Sequence, residues 1–254
     1  MRWIMVLLVT CAAALAGPPP LRVGMDLSYP PFETIGPDGR PAGVSVDLAN
    51  ALAHQLGRPL IIENIPFTGL IPSLRSGKID LILSSMTATE ERAKSVGFSD
   101  PYLTTGLAAL VPKSAGVEDL TALDAPGRTV VVRQGTTGEV FARAKLQQAR
   151  VLVLEKENSC VLEVVQGKAD AFIYDQMSVF QNARRHPDTT RALLAPLQTE
   201  SWAVALRLGD DGLRSDVNAF LTDFRAAGGF DRLAARYLAE EKAAFQAQGI
   251  PFVF

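Results

Sequence analysis

Short apolar runs alternate with amphipathic stretches along almost the whole chain. Leu21 to Met25, Leu60 to Ile65, Ile79 to Leu83, Thr129 to Val132, Val151 to Leu154 and Ala169 to Ile173 have the length and apolar character of buried strands. Between them Val46 to Leu56, Leu70 to Arg75, Val140 to Gln147 and Cys160 to Val165 carry apolar residues at helical spacing. Strand, helix, strand in repetition predicts an α/β protein of mostly parallel sheets covered by helices on both faces. From Asp211 to Phe245 the pattern is helical, broken at Gly228-Gly229.

One pattern occurs twice. Leu74-Arg75-Ser76-Gly77-Lys78-Ile79-Asp80 precedes the run Leu81 to Ser85, and Val164-Val165-Gln166-Gly167-Lys168-Ala169-Asp170 precedes the run Ala171 to Asp175. Each copy reads as a helix end, a glycine cap, a buried strand and then a polar residue at the strand's carboxyl end, where open α/β sheets place their ligands. Ser85 and Asp175 hold equivalent places. Two similar halves facing each other across a cleft follow from this, unless the match is a recurring αβ turn and no more.

Composition narrows the class. With 48% hydrophobic residues against 20% charged, the chain can build a real core, and 254 residues allow one large domain or two modest lobes. A net charge of −2 and the lack of any Lys/Arg run argue against a nucleic-acid partner. At the start, Met1-Arg2-Trp3 leads into an apolar stretch from Ile4 that ends Ala14-Leu15-Ala16, the form of a secretory signal peptide over 1–16. The stretch is shorter than the roughly 20 residues of a membrane span. Cys11 follows Leu8-Val9-Thr10, a poor lipoprotein cleavage box, so cleavage after Ala16 is favoured over a lipid anchor. Cys160 is then the only mature cysteine; it sits at an expected helix start, as a packed small residue or an activated thiol.

Motifs of catalysis are scarce. The chain has no G-x-S-x-G, Walker or G-x-G-x-x-G motif, and His54 and His186 stand far apart with no metal-ligand spacing around them. Catalytic residues, metal and cofactor are therefore assigned as none. What remains are two polar segments at expected strand ends. Gly135-Thr136-Thr137-Gly138-Glu139 fits a capping box of Thr136 with Glu139, and equally offers free N–H groups to an anion. Ser84 to Arg92 repeats the theme with an arginine in a helix's first turn. That position is unfavourable to the helix dipole, so Arg92 is either a solvated surface residue or a fork for a carboxylate.

With these residues in hand, the chain resembles the extracellular solute-binding proteins of polar amino-acid ABC importers, bacterial family 3. The markers stand in order: Val23 to Phe32, Gly43 to Leu48, Phe67 with Leu70 to Leu74, Ser84 to Arg92, Phe98 to Tyr102, Gly135 to Thr137, and Asp170 to Asp175. The resemblance implies a two-lobed flytrap, with two crossing hinge strands at Gly106 to Val111 and Trp202 to Leu206. Lobe 1 would be 21–107 with 203–254, and lobe 2 would be 108–202. It also implies a ligand site. Arg92 would clamp the ligand carboxylate with Thr87 and Thr137, and Asp175 would accept from the ammonium with the Ser85 backbone beside it. Tyr29 and Phe67 would wall the side chain, and Ser84, Thr136, Asp26 and Arg133 would complete the set. Two positions depart from the family pattern: Val44-Ser45 replace an aromatic and an acid, a change read as packing, and Arg133 replaces Gln or an apolar residue.

The function implied is non-catalytic: a periplasmic monomer captures a free L-amino acid and passes it to an inner-membrane ABC permease with its ATPase. Asp26 and Arg133 face the ligand side chain in the family pattern. A guanidinium there repels a basic ligand, while an amide accepts from one and donates to the other, unless Arg133 only pairs with Asp26 or points to solvent. Glutamine or a similar uncharged polar amino acid is expected first, then glutamate. The alternative is an enzyme resembling the dehydratases of prephenate or arogenate, with Asp26 as a conceivable acid.

Overall fold

The structure is a computed structural model that describes residues 17–117, 119, 121–250 and 254. The expected signal segment, with Cys11, lies outside them. The apolar runs form strands in the expected order. The first part of the chain builds β1 Leu21–Met25, β2 Ser28–Tyr29, β3 Glu33–Ile35, β4 Pro41–Ala42, α1 Val44–Gln55, β5 Leu60–Asn64, α2 Phe67–Arg75, β6 Leu81–Ile82 and α3 Glu90–Ala93. A long strand, β7 Gly97–Pro112, leads to β8 Thr129–Arg133, α4 Thr137–Lys145, β9 Arg150–Leu154, α5 Glu157–Val165, β10 Ala171–Asp175 and α6 Gln176–Arg185. A second long strand, β11 Thr190–Leu206, returns to α7 Asp211–Ala226, α8 Gly229–Tyr237 and α9 Ala239–Ala247.

One sheet runs β5-β1-β6-β11-β7-β10-β8-β9. Pairing is parallel in each outer half, β5 with β1 with β6 and β10 with β8 with β9, and antiparallel at the centre. The two long strands belong to both halves. They cross where Leu103 to Leu107 pair with Trp202 to Gln198. The segments expected to cross, Gly106 to Val111 and Trp202 to Leu206, lie on these strands but not opposite each other: Val111 pairs with Arg191, and Leu206 with Gly97. The register is broken between Leu193 and Gln198, around Pro196, which has no N–H to donate to the ladder. Gly106 fits against that break, since a Cβ there would lie 2.8 Å from Pro196 Cβ and 3.0 Å from the Gln198 carbonyl oxygen.

The duplicated pattern is a duplicated structure. Gly77 and Gly167 both adopt left-handed conformations, with φ of 76° and 68°, just after a helix. Asp80 then accepts from the Arg22 N–H (3.0 Å) and from Arg58 (3.0 Å), and Asp170 accepts from the Thr129 N–H (2.8 Å) and from Arg128 (2.6 Å). In both halves the same carboxylate ties one parallel strand to the start of the next.

The periodicity of 176–185 was not among the expected helices, yet α6 forms there because Asp175 caps it, accepting from the Ser178 N–H at 3.0 Å. The α6 helix also receives the C-terminal helix. Whereas α8 is tied to α1 through Tyr237 and Asp47 (2.8 Å), α9 reaches α6. There Phe245 packs edge-on against Phe180, with centroids 5.5 Å apart, and Glu241 accepts from Gln181 at 3.1 Å. Both rings are buried. Replacing Phe245 by Ala should therefore lower the unfolding free energy by about 3–5 kcal/mol. Glu240→Ala, which breaks the exposed pair with Arg184, should cost under about 1 kcal/mol. Urea denaturation of the two variants reads the difference.

Candidate functional site

Parallel strands bring their carboxyl ends to one edge, and in both halves that edge faces the crossing. Between them lies a cavity with about 450 Å³ of empty space. All eleven residues expected at a ligand site line it: Asp26, Tyr29, Phe67, Ser84, Ser85, Thr87, Arg92, Arg133, Thr136, Thr137 and Asp175. Glu33, Leu107, Tyr174, Glu200 and Trp202 line it too. Of these, Glu33 directly follows the Tyr29 to Phe32 motif and Tyr174 precedes Asp175, so proximity in sequence could have found them. Leu107, Glu200 and Trp202 come from the crossing strands, whose part in the cavity only the pairing reveals.

Polar contacts span the cavity from half to half. Arg133, at the end of β8, forms an ion pair with Asp26, which follows β1; both are buried. Asp26 also accepts from the Ser28 hydroxyl (2.7 Å) and the Phe67 N–H (3.0 Å), and Arg133 donates to the Tyr174 hydroxyl (3.2 Å) and the Glu155 carbonyl (3.3 Å). The Tyr29 hydroxyl donates to Asp175 at 2.6 Å. Arg92 turns back from α3 to donate to the carbonyls of Thr87 (2.7 Å) and, in the opposite half, Gly135 (3.0 Å). The two guanidiniums stand 5.5 and 5.6 Å from the Phe67 ring centroid.

Glu33 and Asp175 form no ion pair among the described residues. Glu33 is 1% exposed and accepts from the hydroxyls of Ser45 (2.6 Å), Ser85 (3.1 Å) and Ser84 (3.3 Å). Burial outweighs these bonds and pushes its pKa up to about 8. Asp175 is raised to about 7 for the same reason, although Tyr29 and the Ser178 N–H both favour its ionised form. Glu200 accepts from Thr87 (2.9 Å) and Gln198 (3.3 Å). Ser85 sits at φ 48°, the one non-glycine residue among the described ones with positive φ, at the turn that points Ser84, Ser85 and Thr87 into the cavity.

Two local expectations change. The capping box does not form: Thr136 caps α4 by position, but its hydroxyl donates to the Arg133 carbonyl (2.7 Å), and Glu139 accepts from the Gly135 N–H (2.8 Å). Ser45, read as a packing change, reaches the cavity through its bond to Glu33. Of the two readings of Cys160, packing holds: it is fully buried, and that burial pushes its thiol up to about 12, away from the reactive thiolate.

A two-halved α/β sheet with a polar, aromatic-walled cleft at its crossing is the architecture of a ligand-capturing protein. The chain belongs to the bacterial extracellular solute-binding proteins, family 3, whose model matches residues 21–240. It is 32% identical to the L-arginine-binding protein of Pseudomonas aeruginosa, over 92% of this chain and 93% of that one. It is also 34% identical to the cyclohexadienyl dehydratase of the same organism, over 66% and 63%. Among solved structures, an ancestral arginine-binding protein bound to glutamine superposes with a TM-score of 0.78 at 30% identity, covering 86% of this chain and 97% of that one. No helix among the described residues is long and apolar enough to cross a membrane.

The raised carboxyls predict a pH profile. Glu33 and Asp175 keep protons when folded that they lose near 4.5 and 3.8 when unfolded. Between those values and about 7 to 8 the folded state binds more protons, so stability falls as pH rises through that window. The melting temperature of the ligand-free protein should drop from pH 5 to pH 8, and Glu33→Gln should flatten the upper part of the curve. Differential scanning calorimetry at fixed ionic strength checks both.

Proposed function

We propose that this chain is a periplasmic carrier that captures a free amino acid between its two halves and delivers it to an ABC import permease. The observation that supports this most is the state of Arg92. A guanidinium cannot shed its proton to escape burial, and here it is drawn into the cleft with carbonyls as its hydrogen-bond partners and no carboxylate at ion-pair distance among the described residues, Glu200 acting on it only from farther off. A ligand carboxylate beside Thr87 and Thr137 would meet that need, and an ammonium beside Asp175 would replace the Tyr29 hydroxyl and favour the ionised carboxylate. Closure of the two halves over the ligand follows from the two-strand crossing.

For the side chain, the Asp26–Arg133 pair favours an uncharged polar group. The pair presents both an acceptor and a donor, and a cationic side chain would have to compete with a guanidinium already held by Asp26. Glutamine stands first, in keeping with the glutamine-bound ancestral structure, and the arginine of the named relative stands against it. Calorimetric titration with the twenty amino acids tests the order. Arg133→Leu should weaken glutamine and strengthen arginine; a wild type that already prefers arginine tenfold would reverse the assignment of the ligand. Arg92→Ala should cost about 2–5 kcal/mol, roughly 30-fold to several thousand-fold in affinity for any amino acid. A loss below threefold would remove Arg92 from the role of clamp.

A second reading has its own observation. Asp175 and Glu33 are buried carboxyls that hold protons near neutral pH, the property a general acid needs to protonate a leaving hydroxyl. That property fits a dehydratase of the kind named above. Incubation with prephenate and with arogenate, followed by ultraviolet absorbance of the aromatic product, separates the readings: turnover abolished by Asp175→Asn would make the chain an enzyme.

A further inference from the structure

Glu200 lies on β11 within the crossing, opposite Thr105, and lines the cavity at 4% exposure. It forms no ion pair among the described residues; its carboxyl accepts from the Thr87 hydroxyl (2.9 Å) and the Gln198 amide (3.3 Å). The segment that carries Thr87 is laid against the same strand, since the Ala88 N–H donates to the Ser201 carbonyl (2.9 Å) and the Ala203 N–H to the Met86 carbonyl (3.1 Å). Arg92 in turn donates to the Thr87 carbonyl (2.7 Å). Glu200, Thr87 and Arg92 are thus held in one row by β11, and Glu200 cannot swing out of the cavity without losing buried bonds.

This row limits what the site offers a carboxylate. A hydroxyl has a single proton, and Thr87 gives its own to Glu200, so its oxygen turns only lone pairs toward a ligand. The Glu200 charge also reaches both groups assigned to the ligand's charged ends. Burial lowers the Arg92 pKa and Glu200 opposes that fall; burial raises Asp175, and Glu200 adds to that rise. A carboxylate placed on Arg92 therefore meets repulsion from Glu200, whereas an ammonium placed on Asp175 meets a second attraction. Asp175 by itself rejects a ligand without an ammonium only weakly, because such a ligand leaves it bonded to the Tyr29 hydroxyl as it already is.

We propose that Glu200 is a specificity-determining residue: its repulsion makes the site refuse a carboxylate that arrives without an ammonium, and so separates amino acids from the deaminated acids of the same side chain. The inference rests on the reading of the cleft as an amino-acid site.

Titration calorimetry with three probes of one side chain tests it: L-glutamine, 4-carbamoylbutanoate, which lacks the ammonium, and 4-aminobutanamide, which lacks the carboxylate. L-Arginine, 5-guanidinopentanoate and agmatine form the same series for a cationic side chain. Glu200→Gln and Glu200→Ala both remove the charge, and the first keeps a carbonyl oxygen for Thr87. Each should narrow the gap in affinity between the amino acid and its deaminated acid by at least about fivefold, through tighter binding of the deaminated acid, and should bring no gain to the decarboxylated probe. Glu200→Asp, which keeps the charge, should leave the gap within about twofold of wild type. Equal losses for the amino acid and the deaminated acid would make Glu200 a support for Thr87 and overturn the proposal while leaving the amino-acid site standing. A gap narrowed as much by Glu200→Asp as by Glu200→Gln would overturn it too, since charge would not be the cause. Absence of binding by both series, and by the twenty amino acids, would overturn the amino-acid site and the role of Glu200 together.

Discussion

The antiparallel pairing of β7 with β11 is the constraint on which the rest of the molecule depends. These strands, sixteen and seventeen residues long, are the only ones among the described residues shared by both halves of the sheet. Their outer neighbours are parallel within each half, so every turn that follows a short strand emerges on the edge facing the crossing. Asp26, Ser84, Arg133 and Asp175 meet there for that reason and no local one. Gly106 lets the strands approach where Pro196 interrupts the ladder, and Leu107, Glu200 and Trp202 become the floor of the cavity. A pair of strands with few other ties between the halves is also the geometry of a hinge, although α9 adds a further attachment through α6.

Burial treats the cleft's ionisable groups in two ways. Asp26 is paired with Arg133, and two further donors satisfy its oxygens. Glu33 and Asp175 meet only neutral donors, and for them the cheaper course is to hold a proton. Arg92 has neither escape. Burial lowers its pKa, but from so high a value that the group stays cationic, and carbonyl oxygens give it only partial charges in return. The cleft is thus satisfied where it can be satisfied internally, and its remaining demand is for a carboxylate.

Most of the fold was legible because its signals are local. A buried parallel strand is a short apolar run, a helix end is a glycine with positive φ, and the two copies of the Gly-Lys-x-Asp turn each repeat a hydrogen-bonding job that Asp80 and Asp170 perform identically. That eleven named residues line one cavity was legible through the family markers, since strand-end motifs gather at one place in an open α/β sheet. What was not legible depends on pairing between distant segments. Strand limits on β7 and β11 were too short because their apolar pattern fades into the polar cleft around Thr104-Thr105 and Thr199-Glu200. The α6 helix was missed because it begins on Asp175, a residue already assigned to the site; one side chain serves as cap and as cavity wall. Ser45 was placed in the packing because nothing in its own surroundings says that Glu33, twelve residues earlier, folds back to it.

The state of Asp175 bears on why carriers and a dehydratase stand together among the relatives. A carboxyl whose pKa lies near neutrality responds to whatever is placed against it. Facing an ammonium, it ionises, so capture of an amino acid releases a proton and affinity falls as the solution becomes acidic. Facing a hydroxyl that departs as water, the same carboxyl is a proton donor of suitable strength. The burial that raises Asp175 therefore does not choose between the two activities; the opposing groups do. In this chain Tyr29 holds the carboxyl from one side and the α6 N-terminus from the other. Both are hydrogen-bond donors, so both favour the ionised form. Burial still outweighs them, but the balance is close enough for one ammonium to tip it. The donors around Asp175 favour the ionised form that would face a ligand ammonium, and the burial around it favours the protonated form that a general acid starts from.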